Sequence, residues 1–316
     1  MSAQTNAVTE PRFGGEAVVA SRTAVTRPVY WSVRRELWEN WWLYGAPLGA
    51  AWLVIVGVLL GGFYMFHPGF QGKGTLQSLD PMQQQMFVDL QCNMTELLIM
   101  LSTFLVSIFY CLDALYGERR DRSILFWRSL PVSDTVTVLT KASVPIVILP
   151  LLTFVIAAVT QWIVVVIDAG TLGAHGRSVA VLGQVPVLKM QAGLLYHLLT
   201  VHALWYAPIY AWFLLVSAWA RRMPFLWAFL PPLMIGIVEK IAFNTTYFAR
   251  FIGNRVGGAP SGGDFGQRGG SMAHGMSMTT PGLFFMSPGL WGGLIVAAIF
   301  LAAAVWLRRY RAPING

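Results

Sequence analysis

The sequence predicts an all-α, polytopic membrane protein with six transmembrane helices, an N-terminal interfacial helix and a short amphipathic helix in the loop between the second and third spans. Three observations predict it. Of the 316 residues 56% are hydrophobic and only 11% charged, where an ordinary soluble domain carries about 25% charged residues. Six apolar stretches are long enough to cross the hydrocarbon core, which takes about 20 helical residues. The basic residues gather on one side of those stretches, as they do when they orient a chain in a membrane.

Residues 1–27 are rich in Ser, Thr and Ala with little apolar content, which reads as a disordered tail. No signal-peptide core occurs before residue 43, so the N-terminus is expected to be retained. Residues 28–42 read as an amphipathic helix. Tyr30, Val33, Leu37, Trp41 and Tyr44 share a face flanked by Trp31, Trp38 and Trp42, while Ser32, Arg35, Glu36, Glu39 and Asn40 oppose it. Such a helix lies along a membrane surface with its indoles at headgroup depth and its arginines in water.

Residues 43–316 hold the spans, expected near Leu43–Phe66, Met94–Leu115, Ala142–Ile167, Leu194–Trp219, Pro224–Phe243 and Gly289–Leu307. Several contain proline: Pro145 and Pro150 in the third, Pro208 in the fourth, Pro231 and Pro232 in the fifth. Each removes an intrahelical hydrogen bond, and either a hinge or a static packing kink follows. The loop from Asn244 to Pro288 is Gly-rich and without clear periodicity. A loop of that length is functional or mobile. No internal repeat occurs, so a two-fold architecture requires a second chain.

Fifteen of the 22 Lys and Arg residues fall in the N-terminal region, the 116–141 loop, Arg221–Arg222 and the C-terminal end. Six fall in the opposite loops and Lys240 sits at a span end. Both termini are therefore expected in the cytoplasm. On a soluble protein the net charge of +8 would raise the question of nucleic acid; here its distribution serves topology. Cys92 and Cys111 lie on one helix about 28 Å apart at the standard rise, beyond disulfide reach.

Chemistry-bearing motifs are scarce. "GFQGKGT", Gly69 to Thr75, fails the phosphate-loop spacing because position 67 is His, and no nucleotide motif or cofactor site is seen elsewhere. No nucleophile elbow, H-E-x-x-H or pair of mid-membrane carboxylates occurs. Glu96, Asp113, Asp168 and Glu239 are placed at or near span ends. His197 and His202, about 140° apart on a helix, do not converge on one metal and read as packed or hydrogen-bonded.

That leaves "YGERRDRSILFWRSLPVSDTVTVLTK", Tyr116 to Lys141. Five consecutive charges, Glu118 to Arg122, precede the apolar Ile124, Leu125, Trp127 and Leu130, and Pro131 ends the run. Arg and Trp are favoured interface anchors. The arginines serve equally well as topology determinants beside a membrane-lying helix.

The stretch resembles the first cytoplasmic loop of ABC-2 type transporter permeases, with an acidic residue and Arg, a short Leu-rich helix, "LPVS", then a Lys at the mouth of the third span. The layout is similar too: an amphipathic connecting helix, six spans, and a larger outer segment between the fifth and sixth. The resemblance implies a coupling segment over 116–134 that seats in a groove of a separate ATPase subunit. Glu118, Arg119, Arg120 and Arg122 would make its polar contacts; Ile124, Leu125, Trp127, Leu130 and Pro131 would seat and end it. Trp31, Arg34, Arg35, Trp38, Trp41 and Trp42 would form the connecting helix. It further implies a second permease, identical or similar, a bacterial plasma or inner membrane, and ATPase activity in the partner rather than in this chain. The aromatic spans fit an apolar or amphipathic exported cargo.

Three other readings stay open. Met272, His274, Met276 and Met278 carry thioether and imidazole donors suited to Cu(I) in a copper-related export or maturation system. A secondary transporter would need an acid inside a span. A membrane scaffold or sensor would use the 116–134 loop for a partner that is not an ATPase.

Overall fold

A computed structural model describes residues 28–66, 81–121, 133–174, 187–257 and 281–310. Every regular element among them is helical. In chain order these are α1 (Pro28–Glu39), α2 (Trp42–Phe66), α3 (Pro81–Ala114), α4 (Tyr116–Arg120), α5 (Asp134–Ser143), a π-helical turn Val144–Ile148, α6 (Leu149–Ala174), α7 (Val187–His197), a second π-helical stretch Leu198–Trp205, α8 (Ala207–Trp219), α9 (Pro224–Phe243), α10 (Tyr247–Val256), α11 (Pro281–Met286) and α12 (Pro288–Tyr310). Five helical segments are long and apolar enough to span a membrane, or six when the bent pair 187–205 and 207–219 counts as one. The protein is a polytopic helical membrane protein.

The prolines explain where the regular helix is interrupted. Pro145 lies in the first π-turn and Pro208 follows the second, where the fourth span bends by 45°. Proline lacks the N–H that the i−4 carbonyl needs and its ring crowds that carbonyl. A wider turn or a bend relieves both, and π-bulges commonly sit in such places. The third span continues unbroken from Asp134 to Gly170, so it starts two turns earlier than the hydropathy alone indicated. The fourth begins at Val187 rather than Leu194.

Local signals set the ends. Ser133 caps α5, its side chain accepting from the Val136 N–H at 3.3 Å, and Asp134 complements the helix dipole in the first turn. Met223 and Asn244 take the left-handed conformation on either side of α9, each at φ 49°. Glu239 turns back to accept from the Tyr247 and Phe248 N–H groups at 2.6 and 2.8 Å, capping α10. The 244–288 stretch is thus helical at both ends rather than aperiodic throughout, and Met272, His274, Met276 and Met278 lie outside the described residues.

α8 is the centre of the bundle. It packs along α12 and α3, while α2 lies across α3 and α6. One apolar core joins Leu43, Tyr110, Val138, Leu149, Tyr210, Leu214 and Ala304; a second joins Ala51, Ile99, Ile156, Leu194 and Leu198. α9 lies at the margin with nearly all its apolar residues exposed, as a helix facing lipid is. Neither cysteine is in a disulfide, and both are buried.

Candidate functional site

At one end of the bundle six elements meet around charge. α3 ends at Ala114 and α4 begins at Tyr116, and at this joint the N–H groups of Leu115 and Tyr116 meet a partner on another helix. Ser217 of α8 accepts both through its hydroxyl oxygen, at 3.0 and 2.8 Å. Arg119 returns the contact: its Nη2 donates to the Ser217 and Ala220 carbonyls at 2.8 and 2.5 Å. These carbonyls end α8 and have no intrahelical donor. Two helix ends thereby satisfy each other.

Glu118, one residue earlier, points into an ion cluster. Its carboxylate pairs with Arg308 of α12 and with Lys141 of α5 at 3.2 Å. Lys141 also holds Glu36 of α1 at 2.7 Å, and Glu36 accepts from the Tyr110 hydroxyl at 2.9 Å. Arg308 reaches Asp134, the first residue of α5, at 3.0 Å. Glu36, Glu118, Lys141 and Arg308 are each at most 8% exposed. Buried charges of this kind are tolerated only when paired and hydrogen-bonded. The cluster ties α1, α3, α4, α5 and α12 into one unit, so a displacement of any of them is felt by the rest.

Beside the cluster opens a cleft of about 140 Å³ lined by Arg35, Glu39, Asp113 and Asp121 among others. Asp113, Arg120 and Asp121 are exposed. Arg120 pairs with Asp121 at 3.0 Å.

The structure redistributes the residues singled out from the sequence. Glu118 and Arg119 are buried and bonded within this chain, whereas Arg120 is exposed. Arg122, Ile124, Leu125, Trp127, Leu130 and Pro131 lie outside the described residues. α1 ends at Glu39, so Trp41 belongs to the turn and Trp42 opens α2. Trp31, Trp38 and Trp41 are exposed, and the Arg34 guanidinium lies over the Trp31 and Trp38 rings at 5.4 and 5.0 Å. Arg35 pairs with Glu39 at 2.6 Å. Glu36 is buried on the side of α1 that packs on the ion cluster, where Lys141 and Tyr110 satisfy its carboxylate. Glu36, Asp134, Ser217 and Arg308 escaped sequence reasoning; the one available signal was that each lies within a turn or two of a span end.

Near Trp205 a second junction is built on one arginine. Arg255 of α10 lies over the Trp205 ring at 4.1 Å and donates to the Gly289 carbonyl at 2.9 Å; Trp205 Nε1 donates to the Arg255 carbonyl at 3.0 Å. Burial draws the Arg255 pKa below the ordinary guanidinium value. Gly293 makes this possible, since a Cβ there would stand 1.8 Å from Arg255 Nη2. Gly293→Ala is therefore expected to displace the guanidinium and cost about 2 kcal/mol, the scale of a charged hydrogen bond plus a cation–π contact. Thermal unfolding in detergent measures it, and in an Arg255→Ala background the same substitution should cost almost nothing.

No groups of three or more His, Cys, Asp or Glu suited to a metal occur among the described residues. No protein-family model, curated protein or solved structure matches the chain.

Proposed function

We propose that the chain is the permease subunit of an ATP-driven transporter of the ABC-2 type, worked by a separate ATPase that docks on the 116–134 loop from the cytoplasm. The observation that carries this reading is the buried ion cluster. It joins the root of that loop (Glu118), the N-terminal helix (Glu36), the mouth of the third span (Asp134, Lys141) and the end of the last span (Arg308). A push on the loop then moves several spans at once. In this reading Glu118 and Arg119 position the loop, and exposed Arg120 and Asp121, with the segment that follows, meet the partner. The exposed Trp31, Trp38 and Trp41 of the N-terminal region sit at headgroup depth. A second permease copy, identical or similar, completes the translocation path.

An apolar or amphipathic cargo is supported by an apolar groove of about 420 Å³ between α2 and α3, lined by Trp42, Ala46, Ser102, Leu105, Val106 and Phe109.

The test is purification of the full chain in mild detergent from its native host, with copurifying proteins identified and ATP hydrolysis assayed. A nucleotide-binding subunit should accompany the wild type. Arg120→Glu/Arg122→Glu/Trp127→Ala should lose that subunit while the permease itself stays folded. Wild-type protein that brings down no ATPase would sink the reading.

A further inference from the structure

In the half of the bundle remote from the ion cluster, α3 and α6 run antiparallel and exchange two reciprocal contacts. Gln161 of α6 donates through Nε2 to the Glu96 carboxyl of α3 at 2.5 Å, and Gln91 of α3 hydrogen-bonds the Asp168 carboxyl of α6. Each helix supplies one acid and one amide. Glu96 is 4% exposed and Gln161 1%. Glu96 lies roughly four turns inside α3,, near the start of its apolar stretch at Leu90.

Two features of this clasp are unexplained by ionised acids. First, no cation on the described parts of the neighbouring helices pairs with Glu96. α2 contains no acid, base or histidine; α6 offers only Asp168; α7 carries Lys189, which is exposed, with Tyr196 and half-buried His197. The next stretch adds His202, which packs against Phe104, Tyr206 and Tyr210. Second, the Oε1 atoms of both Gln91 and Gln161 are buried without a hydrogen-bond donor. An ionised carboxylate has no hydrogen to give them, whereas a carboxylic acid has one. A carboxyl and a carboxamide side by side can close a ring of two hydrogen bonds, amide N–H to carboxyl oxygen and carboxyl O–H to amide oxygen.

We infer that the Glu96–Gln161 pair is a proton-binding site, with Glu96 held as the neutral acid and donating to Gln161 Oε1. An isolated carboxylate inside a membrane span is costly, and taking up a proton removes that cost. The proton comes from water and returns to water when the two helices part. Closure of the clasp therefore takes up a proton, and a rise in pH on that side favours its opening.

Infrared difference spectroscopy on the full chain in lipid nanodiscs tests this without any transport assay, so its outcome is separate from that of the ATPase experiment. At neutral pH the wild type should show the C=O stretch of a protonated carboxyl. Glu96→Gln should remove it, and Glu39→Gln, which alters an exposed carboxylate, should leave it. Gln161→Leu, which deletes the acceptor, should shift the band to higher frequency. A wild-type spectrum that Glu96→Gln leaves unchanged in this region overturns the proposal, as does a band that ignores Gln161→Leu.

Discussion

Lys141→Met is expected to destabilise the protein by about 3–5 kcal/mol, the scale seen when one partner of a buried ion pair is removed. Among the described residues Lys141 is the cation that pairs with Glu36, and it pairs with Glu118 alongside Arg308. Its loss leaves the Glu36 carboxylate buried with a single neutral donor, Tyr110. Glu36→Gln in the Lys141→Met background removes the stranded charge, so the double variant should be more stable than the Lys141 single variant. A double-mutant cycle by thermal or denaturant unfolding in detergent should give a coupling energy above about 1 kcal/mol, as expected for contacting residues in one network. The exposed Arg35–Glu39 pair is the internal reference, worth only about 0.3–0.5 kcal/mol. A Lys141 single variant no worse than Arg35→Ala would mean that the cluster is hydrated and does not join the helices.

Arg119→Met should cost about 2–4 kcal/mol. It keeps an apolar stem of similar length but strips the donor from the Ser217 and Ala220 carbonyls, and a buried carbonyl left unpaired costs roughly 1–3 kcal/mol. Ser217→Ala attacks the junction from the other side by stranding the Leu115 and Tyr116 N–H groups, and its effect should be less than additive with Arg119→Met because both loosen the same joint. Limited proteolysis within residues 116–134 gives a local readout: both variants should be cut faster than wild type. Unchanged cleavage in both would show that the loop is anchored elsewhere.

These two residues also mark where sequence reasoning stops. A run of charges between two apolar spans reads as a solvent-facing or partner-facing face, and for Arg120 and Asp121 it is exposed. Glu118 and Arg119 have the same composition and the same neighbours in the chain, yet they are buried. Which residues of a charged run face inward depends on partners far along the chain, Ser217 and Ala220 for Arg119 and Arg308 for Glu118. Glu96 is the same lesson in an apolar setting. It stands near the edge of the apolar stretch that starts at Leu90, and its burial and its partner Gln161 on α6 are set by packing between helices.

What the sequence by itself determined is the class and the layout: helices throughout, the apolar spans, the separate N-terminal amphipathic helix, and the breaks at Pro145 and Pro208. These follow from local chemistry, namely apolar run length and the missing proline N–H. Only the tertiary structure decided that Glu36, Glu118, Asp134, Lys141 and Arg308 form one cluster, that Arg255 needs Gly293, and that α3 and α6 clasp through two acid–amide pairs. A polar group in a span must find its partner on another helix, and the identity of that partner is set by packing between segments far apart in the chain.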